Sequence, residues 1–244
     1  ANAADGLEKL ALVLSDAQVD LNPHQIEAAL FAFKNPLSGG IILGDEVGLG
    51  KTIEAGIIIS QKWAENKRKI LIIVPANLQI QWQEELSEKF YLESIIVDGQ
   101  VFRNMLNQGI SNPFEQNIIV ITSYNLASNR AEYIEKIPFD LIVMDEAHRL
   151  RNVYRPDSII ANNIQKATAG RFKILLTATP LQNSLLELYG LVSFIDDKVF
   201  GDLESFKQQF LYIRNSDTEA FKDLTERLNS ICIRTLRRQV TEYI

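Results

Sequence analysis

The chain of 244 residues contains a single cysteine, Cys232, so no internal disulfide can form, and this usage fits a reducing compartment such as the cytosol. It has no apolar run of membrane-spanning length, and residues 1–5 lack the charged start and apolar stretch of a signal peptide. Basic charge is not in excess either, because 31 acidic residues outnumber 25 basic residues and give a net charge of −6. These absences predict a soluble cytoplasmic protein with no membrane partner, and they do not favour strong non-specific binding to nucleic acid.

The apolar residues that are present fall into short runs separated by amphipathic stretches of helical length. The runs are rich in leucine and β-branched residues without polar alternation, which is typical of strands covered on both faces. They lie at 41–43, 70–74, 94–97, 118–121, 141–144 and 174–176. Helical patterns lie between them at 52–65, 78–89, 125–136 and 156–166. This alternation predicts an α/β fold with a doubly wound, mostly parallel sheet.

The pattern changes after residue 180, where only helices are expected. The helical patterns there lie at 185–195, 203–212 and 218–229. We therefore predict one domain over residues 1–200, with a helical extension over residues 201–244. Within the first domain, residues 99–117 form the most loop-like interior stretch.

The segment 44–52, with the sequence GDEVGLGKT, joins the first predicted strand to the first helix of the alternating region. Such a turn directs backbone N–H groups and the positive end of a helix dipole at one point, which suits the phosphates of a nucleotide. Lys51 would bind the β- and γ-phosphates, and the Thr52 hydroxyl would ligate magnesium. The other candidate nucleotide-binding residues of the segment are Asp45, Glu46, Val47, Gly48, Leu49 and Gly50. Asp45 stands where the full Walker A pattern has glycine, so this segment alone leaves a purely structural turn open.

Two adjacent carboxylates, Asp145 and Glu146, follow the apolar run 141–144. Open parallel sheets bind their ligands at the carboxyl ends of the strands. Asp145 can hold magnesium there, and Glu146 can polarise the water that attacks the γ-phosphate. Capping of the next helix would explain either carboxylate alone. It does not explain their occurrence together with Lys51 and Thr52.

Two further groups of polar residues are candidates for the same site. Gln25 precedes the glycine segment by about one helix, and its amide suits the adenine edge, although in isolation it fits a solvated helix residue as well. The strand at 174–176 runs into Thr177, Ala178 and Thr179, whose hydroxyls would sense the γ-phosphate through the Asp145–Glu146 loop. A plain loop explains the two threonines about equally.

Short polar segments also follow the predicted strands at 70–74 and 118–121. They carry small, hydroxyl and amide groups that suit contacts with the phosphates of a nucleic acid lying across the sheet edge. Helix capping is an equal alternative. The candidate residues are Pro75, Ala76, Asn77, Thr122, Ser123 and Tyr124.

Taken together, these motifs resemble the first RecA-like lobe of superfamily-two helicase-like ATPases. The residues of these motifs are similar to those of the Swi/Snf-type branch, and in particular to those of its bacterial RapA/HepA-like members. Ala178 departs from many eukaryotic relatives, which carry glycine there, and so favours the bacterial branch. The motifs, in order, are the Gln25 segment, GDEVGLGKT at 44–52, VPANLQIQW at 74–82, ITSYNL at 121–126, DEAH at 145–148, LTATPLQN at 176–183 and RTLRRQV at 234–240.

The resemblance implies a function for the chain and a role for each motif. It implies an ATP hydrolase that uses Mg²⁺ and moves on double-stranded DNA, with Lys51, Asp145 and Glu146 as catalytic residues. His148 would join residues 177–179 in coupling nucleotide state to nucleic-acid binding, although a structural role fits it nearly as well. The remaining candidates are Arg237 and Arg238, which would contact nucleic acid or a second lobe, or else be solvated.

The same resemblance predicts the partners of the chain. The family works with two RecA-like lobes, the second of which supplies arginine fingers, so this chain would be half of a motor and nearly inactive alone. The expected targets are double-stranded DNA and DNA-bound protein complexes, in the bacterial cytoplasm and associated with the nucleoid. Alternatives are a lobe of a DEAD/DEAH-type RNA helicase, a restriction or phage-defence motor, or a non-catalytic nucleotide-binding scaffold.

Overall fold

The computed structural model describes residues 22–34, 39–46, 48–178, 184–211 and 218–235. The strands are β1 (Gly40–Leu43), β2 (Ile70–Val74), β3 (Ser94–Ile96), β4 (Ile119–Ser123), β5 (Leu141–Met144), β6 (Lys173–Leu176) and β7 (Cys232–Ile233). The α-helices are α1 (Pro23–Lys34), α2 (Lys51–Ala64), α3 (Gln79–Phe90), α4 (Gly99–Asn107), α5 (Tyr124–Asn129), α6 (Ala131–Glu135), α7 (Ile159–Ala167), α8 (Leu185–Ile195), α9 (Leu203–Phe206) and α10 (Thr218–Asn229). Short 3₁₀ turns cover Ala76–Leu78 and Ala147–Leu150, and a π-helical turn covers Lys207–Leu211.

The strands form one sheet in the order β3-β4-β2-β5-β6-β1-β7, and every neighbouring pair is parallel. The register aligns the carboxyl ends of the central strands, because Leu43 of β1 lies opposite Leu176 of β6 and Met144 of β5 lies opposite Leu175. The loops that follow β1, β5 and β6 therefore meet at one edge of the sheet. The predicted doubly wound α/β architecture is confirmed.

Residues along each central strand alternate between two hydrophobic clusters, one on each face of the sheet. In β2, Leu71 and Ile73 belong to one cluster, whereas Ile70, Ile72 and Val74 belong to the other. Helices α1, α2 and α3 cover the second face, and the later helices cover the first. Because both faces are covered, the strands contain no polar alternation, as the sequence indicated.

The prediction that only helices follow residue 180 is wrong. Strand β7 joins the sheet beside β1, with Ile42 opposite Cys232 and Leu43 opposite Ile233. A two-residue strand has no periodicity of its own, so its pairing depends on a partner far away in the chain. The division of the chain at residue 200 stays a prediction.

Two other expected elements differ from the structure. The stretch expected to be most loop-like begins with helix α4, which is capped by Asp98, whose Oδ1 accepts hydrogen bonds from the backbone N–H groups of Gln100 and Val101, each at 2.8 Å. The single helix expected at 125–136 is broken at Arg130 into α5 and α6. Helix α8 and helix α10 match their predicted bounds.

Aromatic side chains connect the C-terminal helices to the sheet-covering helix α8. The ring of Phe206 lies 4.9 Å from that of Tyr189 in α8, 5.0 Å from that of Phe200 and 5.1 Å from that of Phe210, measured between centroids. All four residues belong to the cluster on one face of the sheet.

Across the described residues, no helix has the length and apolar character needed to cross a membrane.

Candidate nucleotide-binding site

The loop after β1 has the backbone conformation that its glycines predict. Gly48 and Gly50 both have φ of +86°, a left-handed conformation that other residues rarely adopt. A Cβ at Gly50 would also overlap the amide nitrogen of Gln25. Helix α2 starts at Lys51, directly after Gly50, so the N-terminus of a 14-residue helix opens onto the loop. Val47 lies outside the described residues.

Lys51 and Thr52 occupy the first turn of α2, and both are half-buried. The Lys51 side chain turns back toward the loop, and its ammonium donates hydrogen bonds to the carbonyl oxygens of Asp45 (2.9 Å) and Glu46 (3.4 Å). These partners are neutral, so the charge of Lys51 remains available to phosphate oxygens. With the N–H groups of the first turn of α2, this ammonium makes a site that fits a polyphosphate.

The Asp145 carboxylate is held in place from two sides. Its Oδ2 accepts a hydrogen bond from Trp82 Nε1 at 2.9 Å, and its Oδ1 accepts one from the backbone N–H of Glu146 at 2.8 Å. Burial raises the pKa of Asp145, whereas these two hydrogen bonds and the nearby positive charge of Lys51 lower it. Each oxygen keeps a second lone pair, so the carboxylate fits Mg²⁺ bound directly or through water.

Glu146 differs from Asp145 in exposure and in backbone conformation. Its φ is +53°, which is unusual for a residue with a side chain, and its carboxylate is 40% exposed. Glu146 Oε2 lies 3.1 Å from His148 Nδ1. The left-handed turn thus presents an accessible carboxylate directly beside the buried Asp145, with an imidazole in contact with it. Strained backbone of this kind is concentrated at functional sites.

Helix α1 contacts the glycine loop through two side chains. The Gln25 amide donates to Leu49 O at 3.2 Å and accepts a hydrogen bond from Asn22 N at 3.1 Å. His24 Nε2 lies 3.0 Å from the same Leu49 oxygen. Gln25 is buried, so it is not the solvated helix residue considered as an alternative. His24 has no signal in the sequence other than its position beside Gln25, and it was not among the predicted site residues.

Asp45 connects the glycine loop to the C-terminal part of the chain. Its Oδ1 accepts a hydrogen bond from Thr235 N at 2.7 Å, and the backbone N–H of Glu46 donates to Thr235 O at 3.3 Å. Asp45 also lies beside Glu54 of α2, which the sequence analysis missed. Burial above all, and then the proximity of Asp45, raises the pKa of Glu54 to about 9, while the charge of Lys51 opposes this shift.

The candidate nucleic-acid contacts are only partly at the surface. Thr122 is buried and its hydroxyl donates to Val97 O at 3.0 Å, while Tyr124 is buried and donates to Asp145 O at 2.7 Å. Direct phosphate contacts by these two side chains are therefore a wrong prediction, because both hydroxyls bond inside the fold. Ser123 Oγ accepts the backbone N–H of Leu126 and caps α5, as the capping alternative stated.

The neighbouring turn after β2 is more accessible. Ala76 and Asn77 are exposed, whereas Pro75 is buried. Gln79 joins this turn to the one after β4 when its amide is oriented to donate to Ala76 O (3.3 Å) and accept from Ser123 N (3.2 Å). Nucleic-acid contact by the exposed residues stays a prediction.

The coupling segment after β6 is described only in part. Thr177 is buried and its N–H donates to Leu43 O at 3.0 Å, which ties the end of β6 to the end of β1. Ala178 follows and is half-buried. Thr179, Arg237 and Arg238 lie outside the described residues.

A parallel sheet with a glycine loop after β1 and an Asp-Glu pair after β5, at the same edge with β6 between them, is the arrangement typical of P-loop nucleotide-binding proteins. The chain belongs to the SNF2-related domain family, whose family model matches residues 24–244. The predicted membership of the Swi/Snf-type branch is thereby confirmed.

Two bacterial relatives illustrate the similarity. The chain is 37% identical over 218 residues to the "Uncharacterized ATP-dependent helicase YqhH" of Bacillus subtilis, with 88% of this chain and 36% of the relative covered. It is 34% identical over 201 residues to the "RNA polymerase-associated protein RapA" of Haemophilus influenzae, with 80% of this chain and 22% of the relative covered. The chain thus spans about a third or less of the length of these relatives.

Solved structures of the same family share the fold. The "Sulfolobus solfataricus SWI2/SNF2 ATPase core in complex with dsDNA" superposes with a TM-score of 0.75 at 26% identity, covering 91% of this chain and 46% of that chain. The "Sulfolobus solfataricus SWI2/SNF2 ATPase core domain" superposes with a TM-score of 0.71 at 25% identity, covering 90% of this chain and 44% of that chain. The RecA-like fold predicted from the motifs is confirmed.

Proposed function

We propose that this chain is the ATP-binding lobe of a DNA-dependent ATPase that couples ATP hydrolysis to translocation on double-stranded DNA and to remodelling of protein–DNA complexes. The observation that carries the proposal is the placement of Lys51, after β1, and of the Asp145–Glu146 pair, after β5, at the same edge of the sheet. A scaffold that only binds nucleotide has no physical need for an accessible carboxylate at Glu146.

Each side chain of the site has a distinct task in this proposal. The N–H groups of the loop and the Lys51 ammonium bind the phosphates of ATP, and Gln25 and its segment face the adenine. The Thr52 hydroxyl and the Asp145 carboxylate would hold Mg²⁺, which supplies charge neutralisation at the β- and γ-phosphates when bound. The Glu146 carboxylate orients the attacking water and accepts its proton.

His148 and the segment 177–179 are proposed to connect this chemistry to nucleic-acid binding. His148 touches the Glu146 carboxylate, so a movement of the 147–150 turn changes the position of the proton acceptor. Thr177 is bonded to the last residue of β1, which leads directly into the phosphate loop. Both contacts give a mechanical path between the nucleotide site and the sheet edge where nucleic acid is expected.

The partners of the site are proposed from the relatives. Double-stranded DNA is preferred, because a family member was solved in complex with it. A DNA-bound protein complex is a second expected target, because one relative is named for its association with RNA polymerase. A second RecA-like lobe would complete the ATP site, in a cytoplasmic, nucleoid-associated protein.

The test is the steady-state ATPase rate of the intact protein with duplex DNA, single-stranded DNA, RNA or no nucleic acid. We expect the largest stimulation with duplex DNA, and none in the Glu146→Gln variant. Stimulation by RNA alone would assign the chain to an RNA helicase. Absence of a response to every nucleic acid, with ATP still bound, would favour the scaffold.

A further inference from the structure

Three ionisable side chains meet in the interior at the glycine loop, namely Asp45 of the loop itself and His24 and Glu54, which have no assigned role in binding ATP or magnesium. His24, Asp45 and Glu54 each place a ligand atom within 4.8 Å of the others. His24 is 4% exposed, and Asp45 and Glu54 are fully buried. They come from three consecutive parts of the fold, namely helix α1, the loop after β1 and helix α2.

The hydrogen bonds of this cluster leave four donor atoms for metal coordination. His24 Nε2 faces the carbonyl oxygen of Leu49, which can only accept, so Nε2 carries a proton and Nδ1 is the ring nitrogen left to coordinate a metal. Asp45 Oδ1 is bonded to Thr235 N. Within the described residues, the buried atoms that lack a hydrogen-bond partner here are His24 Nδ1, Asp45 Oδ2, and Oε1 and Oε2 of Glu54.

Two buried carboxylates side by side are costly unless a cation or protons neutralise them. The charge of Lys51 acts on Glu54, but its ammonium donates its hydrogen bonds to backbone carbonyls of the loop and not to the two carboxylates. A divalent cation would neutralise both carboxylates at once. An imidazole whose other nitrogen donates to a backbone carbonyl is the usual arrangement of a metal-bound histidine.

We propose that His24, Asp45 and Glu54 form a structural site for a first-row transition-metal dication, with Zn²⁺ as the best-fitting ion. One imidazole nitrogen and two carboxylates give three protein ligands, and a water in the fourth position would complete the tetrahedral arrangement that zinc prefers. Mg²⁺ prefers six oxygen ligands that include several waters, so it fits poorly. Ligand atoms at the corners of a zinc tetrahedron lie about 3.4 Å apart, so ligand atoms that now lie within 4.8 Å of one another would have to move closer by up to about 1.4 Å when the ion binds.

Such an ion would stabilise the conformation of the phosphate loop from its buried side. His24 already bonds to Leu49 of the loop, and Asp45 holds the Thr235 segment. A metal would therefore fix helix α1 with Gln25, the loop, helix α2 and the C-terminal segment relative to one another. Its effect would be on the order and stability of the loop rather than on the chemistry of ATP.

The experiment measures zinc binding to the intact protein after bound metal has been removed with a chelator. The protein is free of nucleotide, Mg²⁺ is present in excess, and zinc affinity is determined by competition with a chromogenic chelator. We expect one Zn²⁺ per chain, and binding at least about 100-fold weaker in Glu54→Gln and His24→Gln, because loss of a ligand exceeds the effect of losing a supporting hydrogen bond. The matched control is Asp145→Asn, which removes the proposed magnesium ligand and should leave zinc binding unchanged.

Two results would overturn the proposal. One is a wild-type protein that binds no stoichiometric Zn²⁺ or Co²⁺, in which case the cluster shares protons instead. The other is an equal loss of zinc in Asp145→Asn, which would place the ion in the nucleotide site. If both cluster variants fail to fold, the visible spectrum of the Co²⁺-loaded wild type decides, since four-coordinate nitrogen and oxygen ligation is expected and a six-coordinate spectrum contradicts it.

Discussion

At the scale of single residues, Asp145 receives hydrogen bonds from two separate helices. Trp82 of α3 bonds to its carboxylate, and Tyr124 of α5 bonds to its backbone oxygen. Neither contact follows from the motifs, because Trp82 and Tyr124 lie far from Asp145 in sequence and are apolar in most of their surface. We infer that Trp82 is a positioning residue for the carboxylate that is proposed to hold Mg²⁺.

The first prediction concerns the Trp82→Phe substitution. It removes the hydrogen bond that Trp82 donates to Asp145 Oδ2. Burial raises the pKa of Asp145 and this hydrogen bond lowers it, so the loss of the bond should raise that pKa further. We expect kcat to fall about 10- to 100-fold, as for other partners that orient metal ligands, with a smaller change in KM. Since a protonated Asp145 cannot hold Mg²⁺, the acidic limb of the pH–rate profile should move to higher pH.

The control for this substitution is Trp63→Phe. Trp63 is the other tryptophan of the chain and lies near the end of α2, where its ring packs against the guanidinium of Arg68 at 4.1 Å from the ring centroid. Its replacement should leave the pH–rate profile unchanged. Identical profiles for both variants would show that Trp82 acts through packing alone.

The second prediction separates the roles of Lys51 and Glu146. Lys51→Ala removes a charge that faces the phosphates and should weaken ATP binding itself. Glu146→Gln keeps the shape of the side chain but cannot accept a proton, so it should abolish turnover while preserving ATP affinity. Isothermal titration with ATP and a turnover assay distinguish the two. Equal loss of affinity in both folded variants would contradict the division of roles.

At the scale of elements, helix α8 packs directly on the turn that follows the Asp-Glu pair. A Cβ at Gly190 of α8 would overlap the carbonyl oxygen of Arg151 and lie 2.8 Å from its carbonyl carbon. The glycine therefore lets the helix approach the backbone just beyond Ala147–Leu150. A backbone atom cannot rotate away as a side chain can, so the contact fixes the turn that carries His148.

The third prediction is that Gly190→Ala destabilises the fold by about 1–3 kcal/mol, as overpacking usually does. Chemical unfolding monitored by circular dichroism measures this, and ATP turnover should fall with it because the turn is displaced. Gly99→Ala is the matched control, because nothing lies within 4 Å of a Cβ there and α4 begins at that residue. An unchanged Gly190→Ala variant would mean that α8 shifts freely.

Most long elements could be predicted from the sequence, because an apolar run such as 70–74 or an amphipathic stretch such as 185–195 carries its own periodicity. The glycine loop and the Asp-Glu pair could be placed for the same reason, since they adjoin such runs. Helix α4 carries local signals that contradict the expected loop, namely an N-cap at Asp98 and an amphipathic pattern, whereas β7 depends on a distant partner and has no local pattern. Thr122 and Tyr124 were misplaced because β4 extends to Ser123, two residues beyond the apolar run.

At the scale of the whole molecule, the fourth prediction concerns the 244-residue chain in isolation. It should bind ATP or ADP weakly and hydrolyse slowly, because a second lobe is proposed to supply part of the phosphate site. Loss of an arginine finger alone costs roughly a thousandfold or more in rate. Single-turnover hydrolysis by this chain and by the intact protein makes the comparison. Robust DNA-stimulated turnover by the isolated chain, free of contaminating ATPase, would contradict the proposal.

The position of β1 has a consequence for the order of folding. This strand leads into the phosphate loop near the start of the chain, yet its two neighbours are β6 at residues 173–176 and β7 at residues 232–233. During synthesis, β1 has no partner until β6 has left the ribosome, and the bond between Asp45 and Thr235 closes later still. Contacts of such long sequence separation form slowly. The phosphate loop should therefore be among the last parts of the chain to gain protection from hydrogen exchange.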